Sequence, residues 1–194
     1  MIENRDDYLR YLAADQKALR RTGKYTFKRG LEDKVWTYER LLREAEYLTN
    51  CYGANRSLYW RIRRRINRWR FARLSLLLGI TIPLNRFGEG LCIAHKGTIV
   101  VNYKAVIGKR CEINVDVNIG MDFEGNAPVI GDDCFISPGA KIVGGVVLGN
   151  NVIIGANAVV TKSFPEGNCT LVGVPARSVP MKHPIINGDR YLSK

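Results

Sequence analysis

The chain has 194 residues, enough for one sizeable core with an appendage but not for two large domains. It carries 30 Lys and Arg against 18 Asp and Glu, a formal charge of +12. No apolar run is long enough to span a bilayer: the best, Leu74 to Leu84, is about half the needed length and is broken by Ser75, Gly79, Thr81 and Pro83. The first residues, Met-Ile-Glu-Asn-Arg-Asp-Asp, lack a basic start followed by an apolar core, and a cytoplasmic protein is expected.

Residues 3 to about 80 read as helical. Asp6 and Asp7 are expected to cap a first helix carrying Tyr8, Leu9, Leu12 and Leu19. A second, from Leu31 to Cys51, places Val35, Tyr38, Leu41, Leu42, Ala45 and Leu48 at spacings of three and four, giving it one buried face. A third, from about Arg56 to Leu78, is expected to bury Tyr59, Ile62, Ile66, Trp69, Leu74 and Leu77 or Leu78 before Gly79 and Pro83 end it. That helix also carries Arg61, Arg63, Arg64, Arg65, Arg68, Arg70 and Arg73. Either these pair with Glu39, Glu44 and Glu46 of the preceding helix, or they attract a phosphate-bearing ligand or an anionic membrane surface. No recognised nucleic-acid module accompanies them, and nucleic-acid binding is not expected.

From Ile107 onward an aliphatic residue returns every six positions, at Ile107, Ile113 and Ile119, then at Ile130, Ile136, Ile142, Leu148, Ile154 and Val160. Neither a helix nor an alternating strand produces that period, so the unit is one side of a three-sided solenoid. The residue four places after each leader is small (Cys111, Val117, Cys134, Ala140, Val146, Val152, Ala158), as an inward position with little room requires. The Gly, Asn and Asp between them are expected at corners, where they tolerate positive φ. The frame slips between Phe87 and Val106: Phe87, Ile93 and Ile99 keep one register, and Val101 leads into that of Ile107. His95 lies in this slip. The last coil is expected to end near Phe164 and Pro165, with Cys169 to Val174 a further strand and 181–194 a tail. Five cysteines without a CxxC pair read as buried thiols, and two histidines, His95 and His183, do not make a zinc site.

These hexads resemble those of the hexapeptide-repeat acyltransferases, and Gly90 to Arg177 is most similar to serine acetyltransferase and related polysaccharide O-acetyltransferases. The matching runs are 93–101, 105–108, 128–131, 155–162 (Gly-Ala-Asn-Ala-Val-Val-Thr-Lys) and 173–177 (Gly-Val-Pro-Ala-Arg). The resemblance implies a mainly β protein, a left-handed parallel β-helix over 81–180 preceded by a small α-helical domain over 1–80. It implies transfer of an acetyl group from acetyl-CoA to a hydroxyl, with His95 as general base and no metal. Imidazole suits the task, since it can take the hydroxyl proton and then return one to the leaving thiolate near neutral pH. Coenzyme contacts are implied at Ala156, Thr161, Lys162 and Arg177, with Ala156 and Ala158 small enough to admit pantetheine, in a homotrimer or a pair of trimers joined through the helices.

The family's orienting carboxylates fall at Ile80 and Ala94 here, and its second histidine at Ala127. Asp116, Asp122 and Glu124 are the remaining carboxylates available to orient His95. The acceptor implied is L-serine, with a sugar hydroxyl of a surface polysaccharide as the alternative. A metal hydrolyase of the carbonic-anhydrase type shares this prism but needs three histidines. A non-catalytic scaffold with a basic helical cap is the alternative of another class.

Overall fold

The computed structural model describes residues 1–21, 33–54 and 57–181. Three helices precede a prism of short strands. Helix α1 (Arg5–Ala18) is capped by Asn4, whose Oδ1 accepts from the Asp7 amide at 2.9 Å; Asp6 and Asp7, expected as caps, occupy the first turn, where the helix dipole favours carboxylates. Helix α2 (Lys34–Tyr52) starts from an Asp33 cap onto the Trp36 amide, and Ala45, Leu42 and Leu48 are buried along it. Helix α3 (Leu58–Leu78) ends at Gly79, whose left-handed φ of 72° a side chain would resist. Position 56, expected to open α3, and the expected tail with His183 lie outside the described residues.

The face α3 turns inward differs from the expected one. Trp60, Asn67, Phe71, Leu74 and Leu78 pack toward α2 and the prism, whereas Tyr59, Ile62, Ile66, Trp69 and Leu77 are 50–67% exposed. The helix bears two apolar stripes about 120° apart, and α2 can cover only one. Polar anchors select it: Asn67 Nδ2 donates to Glu44 Oε2 (3.0 Å), and Arg63 donates to Glu44 Oε1 (2.8 Å). Glu39 and Glu46, also expected to pair with α3, face the prism instead.

The strands form three walls of a left-handed β-helix. The first wall runs β1 (Ile80–Thr81), β3 (Ile99–Val101), β6 (Val117–Gly120), β9 (Lys141–Val143) and β12 (Val159–Val160). The second holds β4 (Val106–Ile107), β7 (Val129–Ile130) and β10 (Val147–Leu148). The third stacks β2 (Cys92–Ile93), β5 (Glu112–Ile113), β8 (Phe135–Ile136), β11 (Val152–Ile154) and β13 (Cys169–Val172), with β14 (Arg177–Pro180) antiparallel at its end. The prism therefore extends past Phe164, which bridges Leu148, to a last parallel strand at Val172. The hexad leaders stack in register, as Ile93, Ile113, Ile136, Ile154 and Leu171 do on the third wall, and fill the interior together with the small inward residues, Cys111, Cys134, Ala140 and Ala158 among them.

The glycine that follows the leader on the second wall serves close approach, not positive φ. A Cβ on Gly108 would lie 2.6 Å from the Gly131 carbonyl carbon, and one on Gly131 would lie 2.7 Å from that of Gly149. The positive φ falls two residues later, at Arg110, Asp133 and Asn151, so each corner divides the tasks between two positions.

Helices and prism are joined by a buried ionic cluster. Arg43 on α2 has no exposed side-chain surface; Nε donates to Asp15 Oδ2 (2.7 Å), Nη1 to Glu46 Oε2 (3.0 Å) and to the Phe87 carbonyl (3.1 Å), and Nη2 to the Gly88 carbonyl (2.7 Å). Asp15 Oδ1 accepts in turn from the Gly90 and Leu91 amides. Burial opposes the guanidinium charge, but Asp15 and Glu46 outweigh it and hold the pKa of Arg43 above its ordinary value. Removing Arg43 would strand two buried carboxylates. Arg43→Ala is expected to cost about 3–5 kcal/mol in urea unfolding; a loss below about 1 kcal/mol would show that water reaches the cluster.

Candidate active site

His95 sits at the edge where the third wall turns into the first. Along that edge the paired leaders are six positions apart in three coils (Ile113 to Ile119, Ile136 to Ile142, Ile154 to Val160) and eight apart in the coil of His95 (Ile93 to Val101). Two extra residues bulge this corner outward and expose the imidazole. Among the described residues no side chain hydrogen-bonds it.

The bulge is held from the helical side at both ends. On one, the Gly97 amide donates to the Leu78 carbonyl (3.2 Å) and the Ile99 amide to the Gly79 carbonyl (3.0 Å), which ties the corner to the end of α3. On the other, the Ile93 amide donates to Glu39 Oε1 on α2 (2.7 Å). Gly97 itself has φ +148°, and a Cβ there would lie 3.0 Å from Val115 of the next coil. Residue types at 95 and 97 thus follow from one geometry: a corner pushed outward over a glycine.

Sequence reasoning paired Glu39 with the α3 arginines and missed its contact with the His95 corner, although it falls four residues after Val35 and three before Leu42, on the stripe expected to be buried. Its second oxygen has no partner among the described residues. Burial, and then the charge of Asp15, push its carboxyl well above the usual range and favour its protonated form. The unfolded chain releases that proton from about pH 4.3 upward, so Glu39 costs the fold stability as pH rises toward its folded pKa. Glu39→Gln keeps the oxygen that accepts from Ile93 and cannot titrate. Its melting temperature is expected to fall less than the wild type's between pH 5 and 8, and parallel profiles would mean that Glu39 is ionised in the fold.

None of the three candidate orienting carboxylates hydrogen-bonds His95 among the described residues. Asp116 is on the same edge one coil further, pairing with Lys141 Nζ at 3.3 Å. Asp122 and Glu124 lie in the 121–127 loop at the opposite end of the first wall. There the Asn126 amide donates to Asp122 Oδ1 (2.9 Å) and holds that carboxyl below its ordinary value, while Asn126 Nδ2 reaches Glu124 at 3.3 Å. Phe123, at the loop tip, is fully exposed. Ile80, at the family's carboxylate position, points into the prism and is completely buried.

The coenzyme candidates lie at the far end of the prism, divided between the two edges of the first wall. Ala156 is exposed at the His95 edge three coils on, about 14 Å away at the spacing of hydrogen-bonded strands. Arg177 is exposed on the same edge, where the Ala176 amide donates to the Val159 carbonyl (2.8 Å). Thr161 and Lys162 are exposed at the other end of β12. Ala158, expected to admit pantetheine, is turned into the prism and wholly buried, so only Ala156 leaves backbone open to a ligand.

Residues 127–162 match the family model described as bacterial transferase hexapeptide (six repeats). The chain is 34% identical to a serine acetyltransferase from Synechococcus elongatus over 108 residues, 54% of this chain but only 44% of that relative's length. It is 30% identical to a serine acetyltransferase from Helicobacter pylori strain J99 over 166 residues, 76% of this chain and 96% of the relative. A serine acetyltransferase from Neisseria gonorrhoeae, solved in complex with serine, superposes with a TM-score of 0.67 at 28% identity, over 90% of this chain and 69% of that one.

Proposed function

Because the chain belongs to the serine acetyltransferase family of hexapeptide-repeat transferases, we propose that it moves an acetyl group from acetyl-CoA to a hydroxyl, L-serine being the first acceptor to test. The observation that carries this is an exposed imidazole, without an intrachain partner among the described residues, on the one bulged corner of an otherwise regular edge. His95 takes the acceptor's hydroxyl proton as the oxygen attacks the thioester carbon; the tetrahedral oxyanion collapses, the carbon–sulfur bond breaks, and the imidazolium returns the proton to the thiolate. The coenzyme extends along the edge from His95 toward Ala156, with Lys162 and Arg177 supplying charge for its phosphates. Acetyl-CoA as donor places the reaction in the cytoplasm.

The active assembly is a homotrimer. Val106, Val129 and Val147 form an in-register ladder on the outer face of the second wall, 51, 44 and 42% exposed, a strip that another copy would cover. A neighbouring copy could also bring the Asp122 and Glu124 loop to His95.

A sugar hydroxyl is the second reading of the acceptor. Ile80 is buried and Ala94 and Ala127 replace charged groups, so the side chains that would meet an amino acid's ammonium and carboxylate differ from the family's.

Two measurements test the proposal. His95→Ala should lower kcat by about 100- to 10,000-fold while leaving acetyl-CoA binding and assembly mass unchanged; turnover like that of the wild type would remove His95 from the chemistry. Thiol release from acetyl-CoA should rise above background with L-serine or with a nucleotide sugar, and no release with either acceptor, nor with homoserine, would point to a non-catalytic prism.

A further inference from the structure

Helix α3 presents to solvent a second apolar stripe that nothing among the described residues covers. Leu58, Ile62, Ile66, Trp69, Leu76 and Leu77 are all at least half exposed and fall within an arc of about 100° when laid out at 3.6 residues per turn. Arginines border it on both sides, Arg61, Arg65 and Arg68 along one rim and Arg70 along the other. Arg73 lies within the stripe, its guanidinium 5.1 Å from the centre of the Trp69 ring. The helix contains seven arginines and no acidic residue. Of the acids on α2, Glu44 is already taken by Arg63 and Asn67, and Glu39 and Glu46 are buried, so the rim arginines form no ion pair with a described residue.

We propose that this face of α3 binds the surface of an anionic lipid bilayer, lying in the headgroup plane with its apolar stripe directed at the acyl chains. Three observations favour that occupant. An apolar stripe flanked by arginines, with Trp69 within it and Tyr59 at its border, matches an interface that is apolar below and anionic above. Two copies of α3 laid face to face would bring arginine rims together with no acid between them, and a nucleic acid would take the arginines but leave the stripe in water. At the start of the helix Arg61, Arg64, Arg65 and Arg68 surround a cleft of 480 Å³ with Leu58 and Ile62, and the Gly53 carbonyl, accepting from Arg64 at 2.7 Å, fixes one of these guanidiniums; this arrangement suits a phosphate headgroup. Seven arginines in 21 residues rule out a spanning helix, so the contact is peripheral. Because Gly97 and Ile99 bond the end of α3, membrane docking would hold the His95 corner close to the bilayer, although the docking itself does not depend on acetyl transfer.

The test is sedimentation of the full chain with vesicles of phosphatidylcholine alone or mixed with phosphatidylglycerol. Binding should be at least about 10-fold tighter to the mixed vesicles and should weaken with salt. It should drop at least about 10-fold both in Ile66→Glu/Trp69→Glu and in Arg65→Glu/Arg68→Glu, with the assembly mass in lipid-free buffer unchanged. Equal binding to neutral vesicles, or undiminished binding by either double variant, would overturn the proposal. So would a fall in lipid-free mass on changing Ile66 and Trp69, which would assign the stripe to a second copy of the chain. Should these variants misfold, brominated acyl chains provide a milder readout. They should quench tryptophan emission of the wild type and quench much less in Trp69→Phe, and equal quenching would refute the docking.

Discussion

The structure depends on one buried guanidinium. Arg43 is wholly enclosed, yet each of its contacts belongs to a different part of the chain: Asp15 on α1, Glu46 on its own helix, and the Phe87 and Gly88 carbonyls of the first coil. Such an ion does not repay its desolvation unless every donor finds an acceptor in good geometry. Asp15 is similarly saturated, accepting from Arg43 and from the Gly90 and Leu91 amides. The cluster therefore tolerates one arrangement of helices against prism and penalises neighbouring ones. An apolar contact of similar area would hold the two parts together with less directional demand.

That rigidity matters because the catalytic candidate is not on the regular part of the prism. A corner with two extra residues has no neighbouring coil of matching shape to stack on, and its backbone needs other partners. The helices supply them through Glu39 at Ile93 and the carbonyls of Leu78 and Gly79 at Gly97 and Ile99. The helical part thus acts as a template for the bulge that exposes His95, besides covering the open end of the aliphatic column. The next three coils along that edge need no such help, since each is satisfied by the coil beside it.

Helix α3 carries a similar division of labour between its two faces. One is fastened to α2 by Asn67 and Arg63 and continues into the first strand through Gly79; the other combines an apolar stripe with arginines that form no ion pair with a described residue. Both stripes have helical period, so periodicity alone assigns them equal standing. The deciding contribution is polar: Glu44 can satisfy Asn67 and Arg63 only when their side is turned inward.

Much of this molecule was legible in its sequence. The six-residue period requires a three-sided solenoid, because only that geometry brings a leader inward at every sixth position, and the slip around His95 marks the irregular corner. The hexad spacing could not reveal which corner residues take positive φ and which permit close approach, since both tasks favour glycine and the two differ only once adjacent coils are stacked. The spacing does place Ala158 inward, against the pantetheine contact that the resemblance implies for it; the structure leaves Ala156 open. Local pattern determines period and type because these are properties of the chain's own geometry. Which stripe of α3 is buried, where Glu39 points and how Arg43 is enclosed were decided by the tertiary structure, because a long-range polar contact selects among faces that the sequence presents as equivalent.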